Sequence, residues 1–152
     1  MSQNYYSELH IHAVWHTIGS RPLLTSALEP QVFAELRRRC NEVDRLIVHA
    51  INGTPTHVHL CLTIPPTLTI SEFIGRLKGG SSYFINHNNP TRDKLLEWQT
   101  GYGVVSFGTK DLPWAKNYVN RQKDRHGVGN VFDRLERITD IESPVNGAEE
   151  GV

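Results

Sequence analysis

The chain has 152 residues, 38% of them hydrophobic, with 16 basic and 16 acidic residues and hence no net charge. That length suits one domain with a real core and is short for two. No run of about eighteen apolar residues is present to cross a bilayer, and the opening Met1-Ser2-Gln3-Asn4 lacks the charged-then-apolar pattern of a secretory signal, so a cytoplasmic protein with no membrane partner is expected. Charge neutrality weighs at first against a nucleic-acid partner, because phosphate contacts come from Lys and Arg. The distribution of charge along the chain points the other way: four of the 16 acidic residues lie beyond Ile138, where there is no Lys or Arg, which leaves the first 138 residues at +4. We therefore divide the chain into a mildly basic domain over 1–138 and an acidic tail over 139–152 that has too little apolar surface to order itself. Cys40 and Cys61 form no CxxC pair and read as reduced thiols.

Residues 5–17 alternate, with Leu9, Ile11, Ala13 and Trp15 on one side and His10, His12, Val14 and His16 on the other, which predicts a first strand. Gly19 to Pro22 closes it. From Gln31 to Arg45, Val32, Phe33, Leu36, Cys40 and Val43 recur at helical spacing. Arg37, Arg38 and Arg39 lie within this first helix and read either as a solvated face or as phosphate contacts. Leu46 to Ile51 is a second strand, and Asn52-Gly53 is a turn signal leading towards the strand that begins at His57.

In that third strand, His57 and His59 project from one face, while Val58, Leu60, Leu62 and Ile64 line the other. Thr69-Ile70-Ser71-Glu72 has capping-box spacing, and Phe73, Ile74, Leu77, Phe84 and Ile85 form the apolar stripe of a second helix. Gly79-Gly80-Ser81-Ser82 interrupts the stripe. Either the helix weakens there, or small residues let something approach its backbone: a nucleic-acid backbone steered by Arg76 and Lys78, or a packed neighbour.

Residues 98–107 supply a fourth strand, rich in glycine at its start. Asp111 then caps a third helix, with Pro113 in its first turn, that runs to about Gly127. The resulting order, β-α-β-β-α-β-α, predicts an α+β fold: a ferredoxin-like βαββαβ antiparallel sheet with an extra C-terminal helix against the free sheet face. His57 and His59 point towards that extra helix if Val58, Leu60 and Leu62 face the other two.

The third helix carries Tyr118 and Gln122, four residues apart and so on one face. Two imidazoles are too few for a mononuclear metal site. A helix face presenting a phenol and a carboxamide oxygen to them would add a nucleophile and a third ligand together. His12 is a further candidate beside the pair, although an ordinary strand histidine is the simpler reading. Trp98, Tyr102 and Trp114 suit base stacking or plain packing.

The ordered set His57-Val58-His59, Leu77-Lys78-Gly79-Gly80-Ser81-Ser82, Gly101-Tyr102-Gly103-Val104-Val105-Ser106 and Tyr118-Val119-Asn120-Arg121-Gln122 resembles the single-tyrosine HUH transposases of insertion sequences, TnpA-like proteins of the 200/605 type. REP-associated tyrosine transposases are their near relatives. The resemblance runs from about residue 5 to 137. It implies metal-dependent cleavage and rejoining of single-stranded or hairpin DNA through a 5′-phosphotyrosine. Tyr118 would be the nucleophile and His57, His59 and Gln122 would hold Mg²⁺ or Mn²⁺, with no nucleotide cofactor. It further implies a homodimer whose catalytic helix can act across the interface, and backbone-contacting Arg37, Arg38, Arg76, Lys78 and Arg121. Many relatives carry an acidic residue or Asn before the first histidine of the pair, where this chain has Thr56. The alternatives are a non-catalytic, domesticated hairpin-DNA-binding protein on the same fold, and a metal protein indifferent to DNA.

Overall fold

The computed structural model describes residues 4–91, 93–127 and 131–138; the predicted acidic tail lies outside them. The order of elements is β1 (His10–His16), α1 (Glu29–Asn41), β2 (Ile47–Thr54), β3 (His57–Thr63), α2 (Ile70–His87), β4 (Gly103–Phe107), α3 (Leu112–Asn120), α4 (Gln122–Gly127) and α5 (Asp133–Glu136). The four strands form one sheet in the order β2-β3-β1-β4, antiparallel at every junction. This is the expected α+β ferredoxin-like arrangement. No described helix is long and apolar enough to cross a membrane.

Alternation along β1 and β3 decides what the two faces do. Ile11, Ala13 and Trp15 of β1 and Val58, Leu60 and Leu62 of β3 are buried in one apolar core together with Leu36 and Cys40 of α1 and Phe73, Ile74 and Leu77 of α2. The opposite face carries a smaller apolar cluster, in which Ala50 and Cys61 of the sheet meet Ala115 and Val119 of α3. The third helix therefore covers the predicted face, and His57 and His59 lie beneath it. Both cysteines are free and buried, and burial pushes the thiol of Cys40 up to about 12 and that of Cys61 up to about 11.

Several local expectations are corrected. Asn52 and Gly53 lie inside β2, and the reversal is the two-residue Pro55-Thr56 turn that makes Thr54 and His57 cross-strand partners. The opening strand is shorter than its alternation, because its hydrogen-bonded ladder starts only at His10. Thr69 is the N-cap of α2, but its side chain makes no capping hydrogen bond. The glycine-serine stretch does not interrupt α2, which runs unbroken for 18 residues. What approaches its backbone is α1: the Arg39 guanidinium lies over Gly80, where a Cβ would come within 2.4 Å of it. Arg39 is held there by the buried carboxylate of Glu35, with Nε to Oε2 at 2.6 Å. The last helix is not continuous. At Arg121 the backbone leaves helical geometry (φ −109°, ψ 25°), so Tyr118 and Gln122 belong to successive helices, α3 and α4.

Gly53 marks the tightest passage of the β2–β3 hairpin. A Cβ at this position would lie 2.2 Å from the carbonyl oxygen of His57, a contact that only a backbone shift relieves. We expect Gly53→Ala to destabilise the fold by about 1–3 kcal/mol, the usual cost of forcing atoms into a packed site. Gly79→Ala, with nothing within 4 Å of the added methyl, should instead stabilise by up to about 1 kcal/mol through helix propensity. Urea unfolding of the two variants checks the pair.

Candidate functional site

The site is built on the two central strands. His57 and His59 of β3 are buried, and each ring is oriented by a different partner. His57 Nδ1 lies 2.9 Å from Thr56 Oγ1 and 3.0 Å from Thr54 Oγ1. The position where many relatives carry an acidic residue or Asn therefore still supplies an oxygen to the first histidine, as a hydroxyl. With hydroxyl oxygens at Nδ1, the Nε2 of His57 turns to the site. His59 Nδ1 faces His12 Nε2 of β1 at 2.7 Å, and its Nε2 turns the same way. His16, also of β1, stacks on His57 with ring centroids 4.6 Å apart and planes 13° from parallel.

Both Nε2 atoms meet Glu136, a residue that no motif or spacing in the sequence singles out. Its Oε1 lies 3.4 Å from His57 Nε2 and 3.2 Å from His59 Nε2. These three residues are a group able to hold a metal ion, with one ligand atom each and all three atoms within 4.8 Å of one another. Burial alone would raise the Glu136 carboxyl, but hydrogen bonds from His57 and His59 outweigh it and hold the group well below the usual carboxylate range.

The position of Glu136 follows from packing at both ends of its short helix. Leu135 and Ile138 are buried, and the chain passes so close to β4 that a Cβ on Gly103 would lie 1.7 Å from the carbonyl oxygen of Arg137. The signal in the sequence is faint: Phe132, Leu135 and Ile138 repeat at intervals of three, a single apolar turn just before the acidic tail.

Tyr118 completes the group. It is fully buried, its ring centroid 6.2 Å from that of His59 and 5.5 Å from that of Trp114. Its hydroxyl donates to Glu136 Oε2 and accepts from the Phe132 backbone N–H at 2.8 Å. Burial, reinforced by the carboxylate of Glu136, pushes the phenol up to about 12, while the Phe132 N–H and the Gln122 carboxamide act in the opposite direction. Tyr118 and the histidines come together within one chain.

Gln122 is buried too. Its Nε2 donates to the Tyr118 carbonyl at 3.3 Å, and its Oε1 has no hydrogen-bond partner among the described residues. An unsatisfied buried carboxamide oxygen, two imidazole nitrogens and a carboxylate are a donor set that fits a hard or borderline divalent cation.

The basic residues singled out as backbone contacts are dispersed. Arg37 and Arg38 on α1 and Arg76 and Lys78 on α2 belong to the layer on the other side of the sheet. Arg38 is engaged by Glu35 and Glu42, and Arg76 lies 3.9 Å from Glu72. Lys78 is half-buried, its Nζ donating to the carbonyls of Gln99 and Gly101, and burial lowers its pKa. Arg121, at the break between α3 and α4, is the member of this set on the Tyr118 side; it lies 3.7 Å from Asp124. Trp98 is a packing residue, its Nε1 bonded to the buried Ser81 Oγ, whereas Trp114 is 45% exposed beside Tyr118.

Comparison with known proteins agrees with this architecture. Over 98 residues the chain is 30% identical to the transposase for insertion sequence element IS200 of Salmonella typhimurium, and equally to that of Salmonella typhi. The match takes in 62% of this chain and 63% of each relative, so the chain spans a little under two thirds of the length of these curated relatives. Among solved structures, a protein of Deinococcus radiodurans R1 described as a transposase superposes with a TM-score of 0.61 at 22% identity, over 80% of this chain and 96% of that one. A REP-associated tyrosine transposase bound to a REP hairpin superposes at 0.58 and 16% identity, over 86% of this chain and 75% of that one. These two likenesses concern the fold. Residues 5–122 match the family described as Transposase IS200 like, and the chain belongs to that family.

Proposed function

We propose that this protein cleaves and rejoins single-stranded DNA by transesterification, with Tyr118 as the nucleophile. One observation carries the reading: a phenol hydroxyl and two imidazole Nε2 atoms converge on the two oxygens of one carboxylate, Glu136, inside a single chain. Membership of the transposase family supports it. The REP hairpin bound by one structural neighbour supports a hairpin partner.

In the proposed reaction the Tyr118 oxygen bonds to the scissile phosphorus as the bond to the 3′-oxygen breaks. The phenolic proton leaves the tyrosine, and the departing oxygen gains a proton to become a 3′-hydroxyl. The 5′-phosphate stays on the protein, and attack by a second 3′-hydroxyl reverses the chemistry. One phosphodiester is exchanged for another, so no nucleotide cofactor is consumed. Near neutral pH a phenol titrating at about 12 is protonated, so it must be activated from its surroundings. Glu136 already accepts its hydrogen bond, and the Gln122 carboxamide favours the phenolate. His57, His59 and Glu136 would hold Mg²⁺ or Mn²⁺, with Gln122 Oε1 as the further oxygen donor, and a bound ion would supply Lewis-acid polarisation of the phosphate. The hydroxyl is covered by the 132–136 segment, which must give way for a strand to reach it. Since the groups meet within one chain, a homodimer would carry two such sites. Arg121 is then the nearest candidate for a phosphate contact, with Arg37, Arg38 and Arg76 serving DNA that reaches the opposite layer and Lys78 turned to protein carbonyls.

Three outcomes are expected. Tyr118→Phe abolishes the covalent protein–DNA adduct on end-labelled hairpin DNA, read on a denaturing gel, and leaves hairpin binding within a few-fold of wild type; an adduct that persists in this variant rules out the nucleophile. Excess EDTA, or His57→Ala with His59→Ala, stops cleavage, and unchanged cleavage under chelation would remove the metal from the scheme. Glu136→Gln takes a negative charge away from the phenol, so Tyr118 should titrate below its wild-type value of about 12. Ultraviolet difference titration against Tyr118→Phe measures that change.

A further inference from the structure

Asn52 and Gly53 stand inside strand β2, where both residue types are disfavoured, and the close passage of the hairpin accounts only for the glycine. In the ladder Asn52 is the direct partner of His59, as Thr54 is of His57, so both side chains share the sheet face that carries the site. Thr54 bonds the ring opposite it. Asn52 reaches instead for the helices above. Its Nδ2 donates to the backbone carbonyl of Asn120 at 2.9 Å. Its Oδ1 accepts from the Lys123 ammonium at 2.8 Å and from the Gly53 backbone N–H at 2.9 Å.

The partners fix the sense of these bonds. A carbonyl only accepts, while an ammonium and a backbone N–H only donate, so a turned carboxamide would set its NH₂ group against two donors. What the carboxamide holds is the break in the last helix. Asn120 is the final residue of α3 and Lys123 the second of α4, so Asn52 grips the chain on both sides of Arg121 and Gln122. The closing carbonyls of a helix need partners from outside it, and here the Arg121 N–H turns back to the carbonyls of Asn117 and Tyr118 while Asn52 takes that of Asn120. On the far side, Lys123 Nζ also donates to the Gly53 carbonyl at 3.1 Å and lies 3.0 Å from the Glu29 carboxylate of α1. The Lys123 side chain is 54% exposed, so its ion pair with Glu29 adds little by itself. Asn52 is the point at which both halves of the junction meet the sheet. Gln122 lies between the two held residues, its buried carboxamide bonded back to the Tyr118 carbonyl. Where the break lies therefore sets where Gln122 Oε1 stands relative to the histidines.

We propose that Asn52 is a positioning residue for Gln122: by tying the Asn120 carbonyl and the Lys123 ammonium to the strand position opposite His59, it fixes the break between α3 and α4 and with it the place of the Gln122 carboxamide oxygen. The consequence for a bound cation rests on the function proposed above; the hold on the break does not.

The test uses the full chain carrying Asn52→Ala, Gln122→Ala or both. Mn²⁺ affinity is measured by electron paramagnetic resonance, and backbone hydrogen exchange is followed residue by residue in the metal-free proteins. We expect Asn52→Ala to bind Mn²⁺ about 10-fold more weakly than wild type, the usual scale for losing a group that positions a ligand. Once Gln122 is already alanine, adding Asn52→Ala should change affinity by less than about two-fold, because residues that act through one another are not additive. A merely structural loss would weaken both backgrounds alike. In the metal-free proteins the α4 amides should exchange faster in Asn52→Ala, relative to those of β1 and β3. Equal Mn²⁺ affinity in wild type and Asn52→Ala, an undiminished effect in the Gln122→Ala background, or α4 exchange unchanged from wild type overturns the proposal. Should wild type itself take up no Mn²⁺, the metal reading fails, and α4 exchange alone decides whether Asn52 holds the break. Should Asn52→Ala fail to fold, Asn52→Ser, whose hydroxyl falls short of the Asn120 carbonyl, takes its place in both measurements.

Discussion

One carboxylate holds this site together. Glu136 takes the Nε2 atoms of His57 and His59 on one oxygen and the Tyr118 hydroxyl on the other, so strand β3, helix α3 and the last described turn of the chain share a single charged group. Burying a carboxylate is costly unless its partners compensate, and here two imidazoles and a phenol provide that compensation. The cost is met only while the groups stay together. The burial of Tyr118, the depressed titration of Glu136 and the convergence of the histidines are thus three expressions of one contact.

The sheet supplies the rest by simple geometry. Alternation on β1 and β3 sends apolar residues to the α1–α2 layer and imidazoles to the α3 layer, and antiparallel pairing puts His16 opposite His57 and His12 one step diagonal to His59. Four of the five histidines on these two strands form a layered cluster, in which His12 is hydrogen-bonded to His59 and His16 stacks on His57. Hydroxyls orient His57, an imidazole orients His59, and an aromatic stack braces His57 from the side.

Much of this was legible in the residues. The period-two patterns at residues 9–16 and 57–64 gave both central strands and the face their histidines occupy, because a half-buried strand leaves no other choice. Asn52-Gly53 misled, since a strong local turn signal gave way to the register that pairs Thr54 with His57. The glycines of α2 leave a weakened helix and a close approach both open in the sequence; the helix is unbroken, and it is Gly80 that is approached, by Arg39 of α1, a helix–helix contact that only tertiary structure reveals. Spacing alone put Tyr118 and Gln122 on one helix and could not show the break at Arg121. Glu136 was hardest to see, because an isolated acidic residue near a tail has the composition of solvent-facing chain. Its placement depends on the burial of Leu135 and Ile138 and on the backbone contact at Gly103.

That contact at Gly103 reaches further than its size suggests. Neighbouring carbonyl and glycine leave no room for even a methyl group, and packed interiors transmit such a displacement rather than absorb it. The residue displaced would be Arg137, directly bonded to Glu136, while Gly103 itself lies on the edge strand β4 and is not among the groups that meet at the carboxylate. The smallest side chain in β4 thus works as a spacer gauge. It sets, from a distance and by what it lacks, how far the end of the domain may close over the histidines, and with it whether phenol and imidazoles stand on the same anion.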